Sequence, residues 1–355
     1  MILILSLLLL FPGFYACHTP HKGIIMTISA KYLLLILTML PWSGFGQHLQ
    51  KMHSTINADT SFNITSEFRK QVKQYPHISI AEADTSELTV YRDLVYGRIK
   101  SRKLHLDLFT PGNDLKEPLP VIILIHGGGW RSGDKSMEWP LATALARKGY
   151  LTICPEYRLS PEALYPAAVT DISSVIRWIR RHASGYGADP LRIALSGTSA
   201  GGQLAALMGS VNDSKKLFHH GKLKRVDGKV QAVVDIDGIL AFIHPESGEG
   251  ADRPGKPSAA TLWFGSNAAE KQYLWIQASP LSHVHGGTAP FLFLNSAQPR
   301  FHAGREDFIS KLDSLGIFNQ VHTIPDTPHT FWLFHPWFPE VVDVVTDFLD
   351  KVMDK

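Results

Sequence analysis

A serine set between small residues, Gly197-Thr198-Ser199-Ala200-Gly201, is the first place where this chain could do covalent chemistry. The G-x-S-x-G spacing permits a sharp turn that lifts a hydroxyl above a sheet edge. The apolar run that includes Arg192–Leu195 before it, and a helical pattern from Ala200 after it, supply the required strand, turn and helix. A helix N-terminus beneath the serine favours negative charge developing there. A second glycine cluster, His126-Gly127-Gly128-Gly129-Trp130, follows the apolar run Val121–Ile125. Glycines at such a place let backbone N–H groups approach a reacting carbonyl oxygen. Gly128 and Gly129, with the N–H of Ala200, are therefore the expected oxyanion hole. His126 reads as a structural hydrogen-bonder at the strand end. Together these residues could run acyl transfer through a serine nucleophile.

Such groups need a rigid sheet to hold them, and the hydrophobic pattern provides one. Leu88–Tyr96 and Lys103–Phe109 read as strands, the second alternating at Leu104, Leu106 and Leu108. Val121–Ile125, Tyr150–Cys154, Leu191–Leu195, Val230–Ile236, Phe291–Leu294 and Asn319–Thr323 read as further strands. Helical periods fall between them at Leu141–Lys148, Ala168–Arg181, Ala200 onward, Arg305–Leu315 and Glu340–Met353. Strands alternating with helices predict an α/β fold, a mostly parallel central sheet with helices on both faces. Phe242–Leu262, rich in Pro and Gly, is expected to be a long irregular insertion of the kind that lies over a site.

Composition excludes several classes. The 355 residues carry 35 Lys+Arg against 32 Asp+Glu, with 45% hydrophobic residues, which suits a folded chain with a sizeable core and not a disordered one. The net charge of +3 comes without a basic run, so nucleic acid is not an expected partner. Two cysteines, Cys17 and Cys154, make neither a disulfide framework nor a zinc cage. No ligand cluster or phosphate-binding loop is present, and no metal or organic cofactor is expected.

The first 46 residues contain no Asp, Glu or Arg and only Lys22 and Lys31 amid two apolar runs, the composition of a targeting segment. A signal peptide is expected to start at Met26, with Lys31 as its positive end, Tyr32–Leu40 as its apolar stretch and cleavage before Gln47. That stretch is shorter than the roughly 20 residues that span a bilayer, so no stable membrane span is expected after its removal, and the product would be secreted or periplasmic. A lipoprotein site at Cys17 is the weaker rival. Residues 47–87 read as a polar leader with one short helix around Ser66–Gln74, and 88–355 as the catalytic domain.

Together His126-Gly-Gly-Gly-Trp130, Pro155-Glu-Tyr-Arg-Leu-Ser-Pro-Glu162, Tyr165-Pro-Ala-Ala-Val-Thr-Asp171, Gly197-Thr-Ser-Ala-Gly-Gly202 and Pro328-His329 resemble the alpha/beta-hydrolase superfamily. The likeness is strongest to its branch of hormone-sensitive-lipase-like esterases and bacterial carbohydrate (acetyl, feruloyl) esterases. In that family the base is a histidine late in the chain, which implies His329, between strand Asn319–Thr323 and the last helix. Asp171 matches the family's structural acid. The triad acid departs from the pattern. The family's usual acid follows the strand Phe291–Leu294, yet here the text is Asn295-Ser-Ala-Gln-Pro-Arg300, without a carboxylate. Asp237, at the end of the preceding strand, is the favoured replacement, because loss of an acid at one strand end beside a gain at the next suggests that one role has moved. Asp307 or Glu306 and a Ser–His dyad stay open as alternatives.

Trp130, Arg300 and Arg305 are the expected substrate-binding residues, the arginines as a cationic rim for a substrate carboxylate such as a uronic acid. The resemblance implies a serine esterase. Export and the rim point to acetyl or methyl esters on a plant-type polysaccharide, pectin first and xylan second. A general small-molecule carboxylesterase and a non-catalytic binding module of the same fold are the alternatives.

Overall fold

Odd and even residues of the strand Leu119–Ile125 face opposite sides, and both sides are apolar, so this strand must lie between two layers of helices. A computed structural model, describing residues 59–112, 117–212 and 225–353, has that arrangement. The expected targeting segment and Cys17 lie outside the described residues. All the described residues fall within one compact unit that begins at Ile56.

In chain order the elements are α1 (Ile64–Gln71), β1 (Ser79–Ile80), β2 (Leu88–Ile99), β3 (Arg102–Pro111), β4 (Leu119–Ile125), α2 (Trp139–Arg147), β5 (Leu151–Pro155), α3 (Ala167–His182), β6 (Ala188–Thr198) and α4 (Ala200–Ser210). They continue with β7 (Ala232–Ile236), α5 (Ala259–Phe264), α6 (Gln272–Ala278), β8 (Phe291–Ser296), α7 (Arg305–Ser314), β9 (Asn319–Ile324), β10 (Phe334–His335) and α8 (Phe338–Val352). Eight strands form one sheet in the order β2-β3-β5-β4-β6-β7-β8-β9. β2 and β3 pair antiparallel, as do β3 and β5, and every later pairing is parallel.

Period-two alternation sorts the core. Val121, Ile123 and Ile125 join Phe291, Phe293 and the helix residues Ile172, Ile176, Leu204 and Leu207 in one cluster. Ile122 and Leu124 join Leu292, Leu294, Leu141, Leu145, Val341 and Phe348 in the other. Each of these side chains is essentially inaccessible to water, and burying one contributes roughly 1.5–3 kcal/mol. Because β5 and β6, which follow β4 in the chain, flank it on opposite sides, a crevice opens at the carboxyl ends of β4 and β6. Both glycine clusters sit there.

Residues 59–80 form a strap absent from the periodic pattern of the sheet. Asn63 caps α1 by accepting from Ser66 N (2.9 Å), while Ser66 Oγ accepts from Asn63 N (3.0 Å). β1 pairs antiparallel with β10, shortly after His329. Phe68 packs near Phe334, and Tyr75 meets Trp337 edge-on with ring centroids 5.5 Å apart. Asp59 pairs with Arg131 Nε (2.5 Å), just beyond the glycines at 127–129. The strap is thus sewn to the loops that carry Gly128, Gly129 and His329.

Candidate active site

Ser199 occupies the junction of β6 and α4 with φ 53° and ψ −118°, a strained conformation for a residue with a side chain. Tertiary contacts hold it there: Ser199 N donates to Ile236 O (2.8 Å), and the turn leaves no room for side chains beside it. A Cβ on Gly197 would lie 2.1 Å from Gly201 O, and one on Gly201 would lie 2.0 Å from Ile125 O. The small residues that suggested a sharp turn are therefore required by the close approach of α4 to β4.

His329 Nε2 lies 2.9 Å from Ser199 Oγ, and His329 Nδ1 lies 2.9 Å from Asp237 Oδ2. Asp237 also accepts from Ser296 N (2.8 Å), Ser296 Oγ (2.6 Å) and Asn295 Nδ2 (3.3 Å). A carboxylate, which only accepts, suits that set of donors. With Nδ1–H donating to Asp237, Nε2 is left free to accept the serine proton. Phe301 stacks on the imidazole at 3.4 Å between centroids and 7° between planes, and Trp332 meets it edge-on at 5.2 Å.

The alternative acids are elsewhere. Glu306 is engaged by Arg305 (2.7 Å), and the exposed Asp307 carboxylate faces His244 (3.4 Å). Both sit in the first turn of α7, on partners other than His329.

Burial holds His329 below the ordinary imidazole value of 6.5, with the hydrogen bond it donates to Asp237 opposing the shift. A histidine acting as base must be neutral. The neutral fraction grows as pH rises through its pKa, so kcat/KM for a neutral ester is expected to climb to a plateau through a midpoint below 6.5. A pH–rate profile on nitrophenyl acetate measures this, and a midpoint at or above 6.5 would contradict it.

Gly128 and Gly129 line the cavity beside Ser199. The Gly128 carbonyl is turned away and accepts from Ser132 N (3.0 Å) and Ser132 Oγ (2.9 Å). Gly128 has φ 114°, and a Cβ there would meet Ser132 O at 2.2 Å, so only glycine fits this loop. Ala200 opens α4, leaving its N–H without a partner inside the helix. His126 keeps out of the cavity: its Nδ1 lies 2.8 Å from Gly127 O, its ring stacks on Tyr157, and burial lowers its pKa. Asp171 is buried against Arg158, accepting from its Nε (2.8 Å) and Nη2 (2.7 Å).

Two cavities meet at Ser199. The larger, about 610 Å³, is bounded by His329, Gln298, Arg300 and the strap residues Glu67, Lys70 and Gln71. The smaller, about 50 Å³, lies among Trp130, Ala200, Asp237, Ile239, Ala259 and Glu249. Arg300 thus reaches the site, its guanidinium 3.9 Å from the Phe301 ring centroid. Arg305 does not: it donates to Asn295 Oδ1 (2.8 Å) and pairs with Glu306, bracing the loop under Asp237. Trp130 is 3% exposed, stacks on Trp263 and donates to Gln203 (2.9 Å), which makes it a wall of the small cavity and not an open stacking platform.

Sequence reasoning missed Glu67, Glu249, Phe301 and Glu138. Glu138 is buried and accepts from Thr198 Oγ1 (2.8 Å), one residue before the serine; burial pushes its carboxyl up to about 8. No motif marks these four. Glu67 sits on α1 and Glu249 in the irregular insertion, and the approach of both to the site is set by long-range packing.

Residues 106–300 match the BD-FAE family model. The chain belongs to the BD-FAE family. Among curated relatives, the family member is 29% identical over 251 residues to the probable carboxylic ester hydrolase LipM of Mycobacterium tuberculosis, covering 68% of this chain and 55% of LipM. It is 28% identical over 239 residues to esterase LipQ of the same organism, covering 66% of this chain and 55% of LipQ. The chain thus spans about half the length of these curated relatives.

Among solved structures, a truncated carbohydrate esterase from gut microbiota superposes with a TM-score of 0.65 at 22% identity, over 78% of this chain and all of that one. The Thermogutta terrifontis esterase Est2 superposes with a TM-score of 0.61 at 21% identity, over 76% of this chain and 95% of that one. The fold is that of the alpha/beta hydrolases, as the motifs implied.

Proposed function

We propose that this protein is a serine carboxylic ester hydrolase that removes short acyl groups, acetyl first, from a large polar alcohol such as a plant-type polysaccharide. The observation that carries the reading is the unbroken hydrogen-bonded line Ser199–His329–Asp237 beside Gly128, Gly129 and the N-terminus of α4. Ser199 Oγ attacks the ester carbonyl while His329 takes its proton. The N–H groups of Gly128, Gly129 and Ala200 hold the oxyanion. The imidazolium then gives its proton to the departing alkoxide, the acyl group stays on Ser199, and water activated by His329 releases it.

That proton transfer assigns the two cavities. The alkoxide must leave on the side that His329 lines, which is the 610 Å³ cavity. The acyl group is left the 50 Å³ cavity, which His329 does not line. One water needs roughly 10–15 Å³ of such space, so the small cavity takes only a few heavy atoms. Glu67, Lys70, Gln71 and Arg300 make the alcohol side polar and partly charged, which supports a hydroxyl-rich leaving group and a uronic acid near Arg300. This arrangement favours acetyl over methyl esters, whose acyl part is the polymer itself. The names of the relatives and the export expected for residues 26–46 agree with the reading.

The test is product release from acetylated xylan, acetylated pectin and methyl-esterified pectin, with nitrophenyl acetate as control. Acetate should appear from at least one polymer, with little methanol. Methanol as the main product would reverse the assignment of the cavities, and turnover of the control alone would select a general small-molecule carboxylesterase.

A further inference from the structure

We propose that Glu249 sets the longest acyl group this site accepts, by walling the small acyl cavity off from an apolar trough behind it. The inference rests on the ester-hydrolase reading and on the placement of the acyl group in the 50 Å³ cavity. Glu249 belongs to the irregular insertion between β7 and α5. It borders the acyl cavity together with Ser199, Ala200 and Ile239. It also borders a separate open trough of about 320 Å³ with Phe242, Ile243 and Trp275. Among the residues that border these two spaces, Glu249 alone is common to both.

The wall is held in place. Glu249 N donates to Ser247 Oγ (3.2 Å), and Gly250 N donates to Ser258 Oγ (3.2 Å), the side chain that also caps α5. Burial pushes the Glu249 carboxyl above its ordinary range, opposed by the Arg300 charge at the mouth of the larger cavity and by the Ala260 N–H. Gly250 has φ 79°, and a Cβ there would touch the Trp275 ring at 3.0 Å, so the loop runs directly over the trough floor. Trp275 and Phe242 are buried, and Ile243 at the rim is 43% exposed. Such a floor suits an alkyl chain, but a polar carboxyl arm stands in the way. An alkyl chain longer than a few carbons would have to displace that arm or bury its carboxyl against hydrocarbon.

The experiment measures kcat/KM of the full chain on nitrophenyl acetate, butyrate, hexanoate and octanoate. In the wild type the values should fall steeply after the shortest esters. Glu249→Ala removes the arm and joins the two spaces, so the hexanoate-to-acetate ratio of kcat/KM should rise about tenfold or more, the scale on which a pocket counts methylenes. Glu249→Gln keeps the shape and the acceptor, and should keep the wild-type profile. An unchanged ratio in Glu249→Ala would overturn the proposal. So would an equal shift in both variants, which would make charge and not volume the cause. A uniform fall across all four esters in both variants would assign Glu249 a structural role and overturn it too. Failure of the wild type to turn over any of the esters would instead remove the underlying ester-hydrolase reading.

Discussion

Replacing Ser199 by alanine is expected to cut turnover of nitrophenyl acetate on the order of 10⁵-fold or more and to abolish labelling by a fluorophosphonate probe. The magnitude follows from the role: without Oγ there is no covalent intermediate. Only binding and the N–H groups of Gly128, Gly129 and Ala200 remain, which together leave a small residual acceleration. The loss should be almost purely chemical. The Ser199 side chain is joined to His329 Nε2, while the backbone is held by Ile236 O and by the glycines at 197 and 201. Alanine has the same Cβ, so the strain at φ 53° is unchanged and Tm should stay close to the wild-type value. Persistent labelling would identify a different nucleophile.

Replacing Asp237 by asparagine should lower kcat by about 10⁴-fold, the scale seen when a triad acid loses its charge. Both carboxylate oxygens face donors: Oδ1 receives Ser296 N and Asn295 Nδ2, and Oδ2 receives Ser296 Oγ and His329 Nδ1. An amide NH₂ placed on either side therefore opposes a donor. If it faces His329, the imidazole must move its proton to Nε2, where it can no longer accept from Ser199. If it faces Ser296, a buried N–H is left unpaired at a cost of about 1–3 kcal/mol. The variant should accordingly show both a collapse in kcat and a lower Tm. An unaltered rate would return the role to Asp307 or Glu306, or leave a Ser–His dyad. The exposed positions of Asp307 and Glu306, on partners of their own, argue against the first outcome.

Asp235 sits two residues before Asp237 and is fully buried, with its carboxyl pushed far up by burial and by the neighbouring Asp237 charge. Its Oδ1 accepts from Gly238 N (2.9 Å), which pins the turn that presents Asp237. One strand end thus carries two aspartates in different environments. Asp237, with φ 52° just past the end of β7, meets His329, while Asp235 Oδ1 lies against Gly202 of α4 and Gly238.

What the residues determined by themselves is the local part of this protein. Period-two apolar runs dictated the buried strands, and the small residues around Ser199 and at 127–129 dictated two turns that larger side chains could not make. Those features depend on neighbours a few positions apart, so a linear text contains them. The order of His329 after β9 followed from resemblance to a known family.

Tertiary structure alone decided which carboxylate meets His329, because that depends on β7 and β8 lying side by side, with Asp237 and Ser296 brought together across 59 positions. It also decided that a polar strap closes one wall of the site. β1 is two residues long and pairs with β10 far along the chain, a contact with no period to betray it. Glu249 became a boundary between two spaces for the same reason: the volume on either side of a side chain is a property of everything packed around it, and no local pattern of residues encodes it.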